Sequence, residues 1–182
     1  MLLLGSKAPG RHTEQHDVFF GIAETLKDLV PEINAFWPEA AAISKVHVDA
    51  WREVTTVDGY YIEVENRTGD DQENQNQLFF INLGGYKQDL FDEPHFKILT
   101  VQQDKATAIK YSKTTEFYQQ VHFAGAESHI DDKYGVDVDD LHQIDEILPL
   151  HQKEKFRLRI TAGSKLPADE IHLGYFKLNS LP

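Results

Sequence analysis

The sequence predicts an α+β fold made by tandem duplication of a small strand-loop-strand-helix-hairpin module. A short apolar run ending in Leu-Gly, a polar loop and a Glu-x-His pair occur twice: Leu4, Gly5, Glu14 and His16 return as Leu83, Gly84, Glu93 and His95 at a shift of 79. Strand-like and helix-like periodicities follow in the same order after each occurrence. Between them, Asn66 to Gln77 holds no apolar residue, so it cannot contribute to a core and separates the halves. The expected boundaries are a first copy over 1–65, a linker over 66–77, a second copy over 78–150 and a C-terminal β-hairpin over 151–182. The copies are expected to be related by an approximate two-fold.

Each element has a local reason. Leu2 to Leu4 reads as a strand stopped by Gly5, and Pro9-Gly10 marks a loop. Asp17 to Ala23, rich in Val, Phe and Ile, reads as a buried strand, and Leu26, Leu29, Val30 and Ile33 then take helical spacing. Pro31 removes a backbone donor and crowds the preceding turn, which predicts a kink or restart near Val30 and an end before Pro38. Asp58-Gly59, between Val54–Val57 and Tyr60–Val64, is a strong hairpin signal because both turn residues must accept positive φ.

In the second half, Leu78–Leu83 and Phe96–Val101 read as strands around a loop over 84–94, and Asp104 as the N-cap of a helix carrying Ala106 and Ile109. A shift of 82 sets His47, Asp49, Val54, Asp58 and Ile62 on His129, Asp131, Val136, Asp140 and Ile144. Asp139-Asp140-Leu141 lacks the glycine, so a looser turn or short helix is expected there. Phe156–Ile160 and Ile171–Leu173 alternate on either side of a loop and read as the closing hairpin.

A chain of 182 residues is long enough to bury a core. Its net charge of −12, with no basic run, repels a phosphate backbone and argues against nucleic acid. The absence of cysteine rules out disulfides, a thiolate nucleophile and Cys-ligated zinc, and fits a reducing cytosol. No apolar run approaches bilayer length, and Met1–Leu4 is too short for a signal-peptide core, so no membrane partner is expected.

The candidate site residues lie around the Gly10–Asp17 loop. Arg11 and His12, beside Gly10 and in the first copy only, are suited to a carboxylate or phosphate. Glu14 and His16 are kept in both copies, as expected of a pair in which a carboxylate orients an imidazole. The sharper reading is a metal site. On an extended segment His12, Glu14 and His16 share one face, and His47-x-Asp49 could come alongside; His12, His16 and His47 are then the candidate ligands and Glu14 the base of a hydrolase. The order His-Thr-Glu-Gln-His departs from the zinc-protease His-Glu-x-x-His, in which glutamate follows the first histidine directly. Trp51 reads as a core cap. The acids at Asp131, Asp132, Asp137, Asp139 and Asp140 lack the glycine and terminal glutamate of a calcium loop. No phosphate loop, dinucleotide fingerprint or nucleophile elbow is present.

Gly10 to Ile22, Val48 to Val54 and Leu83-Gly84-Gly85-Tyr86 with Glu93-Pro94-His95 resemble DUF1543, a family of uncharacterised bacterial proteins with one or two copies of a short domain. The resemblance implies a duplicated module and a bacterial source, and brings no activity, cofactor or catalytic residue. The expected function is that of a cytoplasmic, non-enzymatic binding protein for a small anionic ligand or a protein partner. The alternatives are a metal-dependent hydrolase and a scaffold working as a homo-oligomer.

Overall fold

The computed structural model describes residues 1–43, 45–69, 74–85, 89–116, 138–164 and 166–182, the side chains of 138 and 139 excepted. It is an α+β arrangement of three small antiparallel sheets with short helices against them. No helix among the described residues is long and apolar enough to cross a membrane.

The first sheet holds β1 (Leu2–Ser6), β2 (Gln15–Phe19), β3 (His47–Trp51) and β10 (His172–Lys177) in the order β10-β3-β1-β2. Leu2 and Leu4 of the inner strand β1 are buried with Phe19, Val48, Leu29 and Ile33. The last two belong to a 3-10 turn, Leu26–Leu29, and to α1 (Val30–Phe36), which α2 (Pro38–Ala41) follows. Thr25 and Asp28 satisfy each other's backbone N–H groups in a capping box at the start of the 3-10 turn. Pro31 falls in the first turn of α1, where the N–H it lacks would have had no partner, so the helix restarts at Val30 as the sequence predicts. Trp37 leaves helical geometry before Pro38 and ends α1.

The second sheet joins β4 (Thr56–Val57), β5 (Tyr60–Asn66) and β9 (Phe156–Ala162). Asp58 and Gly59 turn the β4–β5 hairpin with φ of 51° and 81°. The expected C-terminal hairpin is not formed: β9 pairs with β5, and β10 pairs with β3 in the other sheet. Charge complementarity favours the observed pairing. Glu63 and Glu65 of β5 meet Arg159 and Arg157 of β9 at 2.6–2.8 Å. The segment between β9 and β10 is held to the first half by Asp169, whose carboxylate accepts from the backbone N–H groups of Thr55 and Thr56 and from both hydroxyls.

The third sheet holds β6 (Gln77–Gly84), β7 (His95–Gln102) and β8 (Val138–Gln143) in the order β7-β6-β8. Phe79, Ile81 and Leu83 pack with Ile98 and with Ala108 of α3 (Lys105–Ser112), whose N-cap Asp104 accepts from the N–H of Thr107 at 2.7 Å. Leu78 and Phe80 face a central core shared with Phe20, Ile62 and Leu158 and with Ile144 of α4 (Ile144–Ile147). Beyond α4, α5 (Leu150–Lys155) sends Gln152 to both the N–H and the C=O of Ile22. A second tie comes from Asp58, which accepts from the Thr100 hydroxyl at 2.6 Å and from the Val101 N–H at 3.0 Å.

The first and third sheets share a pairing register. Gly5 faces His16 and Gly84 faces His95. The inner strand's second ladder slips between Leu3 and Leu4 in one sheet and between Asn82 and Leu83 in the other. Leu4 pairs with Val48 and Leu83 with Val138, so β3 and β8 correspond at a shift of 90 rather than 82. Asp139-Asp140-Leu141 accordingly lies in strand β8, where Leu141 pairs with Ile81, and not in a turn or short helix. Ile144 begins α4, whereas Ile62 sits within β5; His129, Asp131 and Val136 lie outside the described residues. The polar stretch is anchored at its ends: Asn66 closes β5, Gln77 opens β6, and Asn74 donates to the Leu158 carbonyl and accepts from the Ile160 N–H.

Candidate functional site

The site forms where β1 has no side chain. Gly5 is paired with His16 on β2 and with His47 on β3, so two imidazoles flank a bare position on the strand between them. A Cβ at residue 5 would stand 2.5 Å from His47 Nε2 and closer still to Asp49 Oδ2. Only glycine leaves this space for the neighbouring side chains.

Asp49 stands at the register slip. Val48 pairs with Leu4 and Ala50 with Leu3, leaving Asp49 without a partner on β1; β10 slips too, pairing Phe176 with Val48 and Leu173 with Ala50. Two residues on from His47, it shares that residue's face of β3, and its carboxylate is turned toward the imidazoles. Tyr175, within the irregular part of β10, lies over His47 with ring centroids 4.2 Å apart.

Four side chains therefore converge. His47 Nε2 stands 3.0 Å from Glu14 Oε1 and 3.3 Å from Asp49 Oδ1, while His16 Nε2 stands 3.2 Å from Asp49 Oδ2 and 4.0 Å from Glu14 Oε2. The group is graded in burial. His47 is only 3% exposed, whereas the side chains of His16 and Glu14 are 43% and 39% exposed. His47 Nδ1 lies 3.3 Å from the Lys45 carbonyl, while Nε2 faces the carboxylates of Glu14 and Asp49. Nε2 and Asp49 Oδ2 are buried without a hydrogen-bond partner. No lysine or arginine among the described residues pairs with Glu14 or Asp49. As the side chains stand, no group of three among the described residues is set to hold a metal ion.

Of the residues named from sequence, Glu14, His16, His47 and Asp49 are brought together. Arg11 and His12 are not among them. Both are exposed in the turn after Gly10, and Arg11 is tied through its N–H to the Ala8 carbonyl. Trp51 is partly buried against the first core and stacks on His172 with centroids 3.8 Å apart. A cleft of about 710 Å³ lies between the sheets, lined by the exits of β2 and β3 and by none of the Gly10–Asp17 loop. Trp51, the last residue of β3, and Arg52 and Glu53 directly after it all line it.

No curated protein matches the chain. Among solved structures, a protein Il1583 from Idiomarina loihiensis has a similar fold, with a TM-score of 0.62 at 18% identity over 97% of this chain and 94% of that one. Residues 11–64, which carry Glu14, His16, His47 and Asp49, match the model of the family described as Domain of Unknown Function (DUF1543), the family that the sequence resembles.

Proposed function

We propose that the chain is a metal-binding protein whose centre is built by Glu14, His16, His47 and Asp49. The observation that carries this reading is the convergence of two imidazoles and two carboxylates around the buried Nε2 of His47, with no lysine or arginine among the described residues paired to either acid. Two carboxylates drawn together on the same imidazoles repel each other unless positive charge, from imidazole protons or a metal ion, lies among them. Donor atoms about 2.1 Å from a common ion stand about 3.0–3.4 Å from each other. Three of the four contacts, at 3.0, 3.2 and 3.3 Å, fall in that range. The fourth needs only rotation of Glu14 and His16, both at the exposed rim. Imidazole with carboxylate suits a divalent first-row ion such as zinc, and the Lys45 carbonyl on Nδ1 is the usual outer support of a ligating histidine. With Glu14 as a ligand, the base required by the hydrolase reading is gone. Binding, with a small anion at the ion's solvent side, is the function this geometry favours.

The test uses untagged protein stripped with chelator and titrated calorimetrically with zinc. We expect about one ion per chain and a loss of about a hundredfold in affinity in His16→Ala. Equal uptake by wild type and His16→Ala, or none by either, would leave the cluster as a set of histidine-carboxylate ion pairs.

We also infer that the chain is a doubled strand-strand-helix-strand unit, with the second sheet and α4–α5 added around it. Support comes from the shared register of Gly5 with His16 and Gly84 with His95, and from ladders that slip at matching positions. The residue skipped by the slip is an aspartate in both, Asp49 and Asp139. A cytoplasmic setting fits the lack of cysteine.

A further inference from the structure

The cleft between the sheets has the size and lining of a small-molecule site. Its volume of about 710 Å³ lies within the usual range for ligand pockets, about 300–1,000 Å³. Its wall is mostly apolar, with Phe20, Ile62, Leu78, Leu148 and Leu158 drawn from three stretches of the chain. Into this wall Arg52 brings a guanidinium whose Nε is buried and has no hydrogen-bond partner. Burial lowers the Arg52 pKa from its ordinary value, and Asp169 opposes that effect. Asp169 is already engaged by Thr55 and Thr56, so the arginine keeps donors to spare.

The remaining charges narrow the ligand. Glu24, Glu53 and Glu63 line the cleft and are exposed, Glu63 is taken up by Arg159 at 2.8 Å, and the Met1 amine beside Arg52 has its pKa lowered to about 5 by burial and by Arg52. These exposed acids repel a phosphate or a dicarboxylate, whereas one half-buried guanidinium suits one carboxylate through paired hydrogen bonds. We propose that the cleft binds a small amphipathic monocarboxylate, its head group on Arg52 and its apolar body among Phe20, Leu78 and Leu148. This site is separate from the His16–His47 cluster, since the cleft lining includes none of Glu14, His16, His47 or Asp49.

The experiment titrates the full chain, free of metal, with octanoate, octanol and octylamine, followed by calorimetry and thermal shift. Octanoate is expected to bind at least tenfold more tightly than octanol, and octylamine more weakly than either. In Arg52→Met, which keeps the apolar stem, the preference for octanoate should vanish while octanol binding persists. Equal affinities of the wild type for octanoate and octanol would overturn the proposal even if the variant failed to fold. So would an unchanged preference in Arg52→Met, or no binding of any probe. Metal uptake is read separately, so its failure and the failure of this site are distinguishable.

Discussion

The first and third sheets have the same register and different contents. In each, the inner strand ends in a Leu-Gly that pairs with a histidine on the next strand, Gly5 with His16 and Gly84 with His95. Aligning Val48 with Val138 sets His47 in the sequence beside Asp137. The second imidazole is thus present on one side only. The sheets also differ in cover. Every residue of β6 from Leu78 to Leu83 except Asn82 is buried, and its two faces feed two cores, whereas β1 buries Leu2 and Leu4 on one face and turns Gly5 toward the His-carboxylate cluster. The same pairing register goes with packing in one sheet and with a gathering of histidines and carboxylates in the other.

The largest effects test whether the inner strands are equivalent. Leu4→Ala and Leu83→Ala each delete a side chain no more than 1% exposed, and each should cost about 2–5 kcal/mol in urea unfolding. Costs differing by more than about 2 kcal/mol would break the equivalence. The next pair tests the difference in contents. His16→Ala should weaken zinc binding about a hundredfold while His95→Ala leaves it unchanged; similar losses in both would mean that the sheets share the task.

How much of this was legible beforehand follows from the range of each interaction. Asp58-Gly59, the restart at Pro31 and the Asp104 cap depend on a few neighbouring residues, and all stand as the sequence predicts. The partners of β9 and β10 depend on strands roughly a hundred positions earlier, and nothing local in Phe156–Ile160 or Ile171–Leu173 says that they separate. The cluster was half legible. Alternation already sets His47 and Asp49 on one face of β3, but that β1 lies between β2 and β3 and so brings this pair beside Glu14 and His16 is visible only once the strands are paired. His12 was a poor choice because it sits in the exposed bend three residues before β2, whereas Glu14 immediately precedes the strand.

Two smaller predictions sharpen the comparison at the joints between halves. Asp58→Ala removes the acceptor of the Thr100 hydroxyl and the Val101 N–H, and should cost about 1–3 kcal/mol in denaturant unfolding. Asp145 opens α4 after β8, and its pKa is raised, chiefly by burial, with Arg67 opposing and Glu146 adding. A carboxyl that holds its proton more tightly when folded costs stability once pH rises through its folded pKa, and costs nothing below the unfolded value of about 3.9. Asp145→Asn should therefore raise stability at pH 7 by under about 1 kcal/mol, a gain that fades toward pH 3 in thermal melts.

The docking of β10 onto β3 joins residues 47–51 to residues 172–177. Because that pairing closes a very long loop, it belongs among the slow steps of folding. Until it forms, His47 lacks the ring of Tyr175 above it and stays open to water. Should the cluster take the proposed ion, an emerging chain would hold its imidazoles within reach of that ion before the aromatic ring arrives, and loading would precede covering.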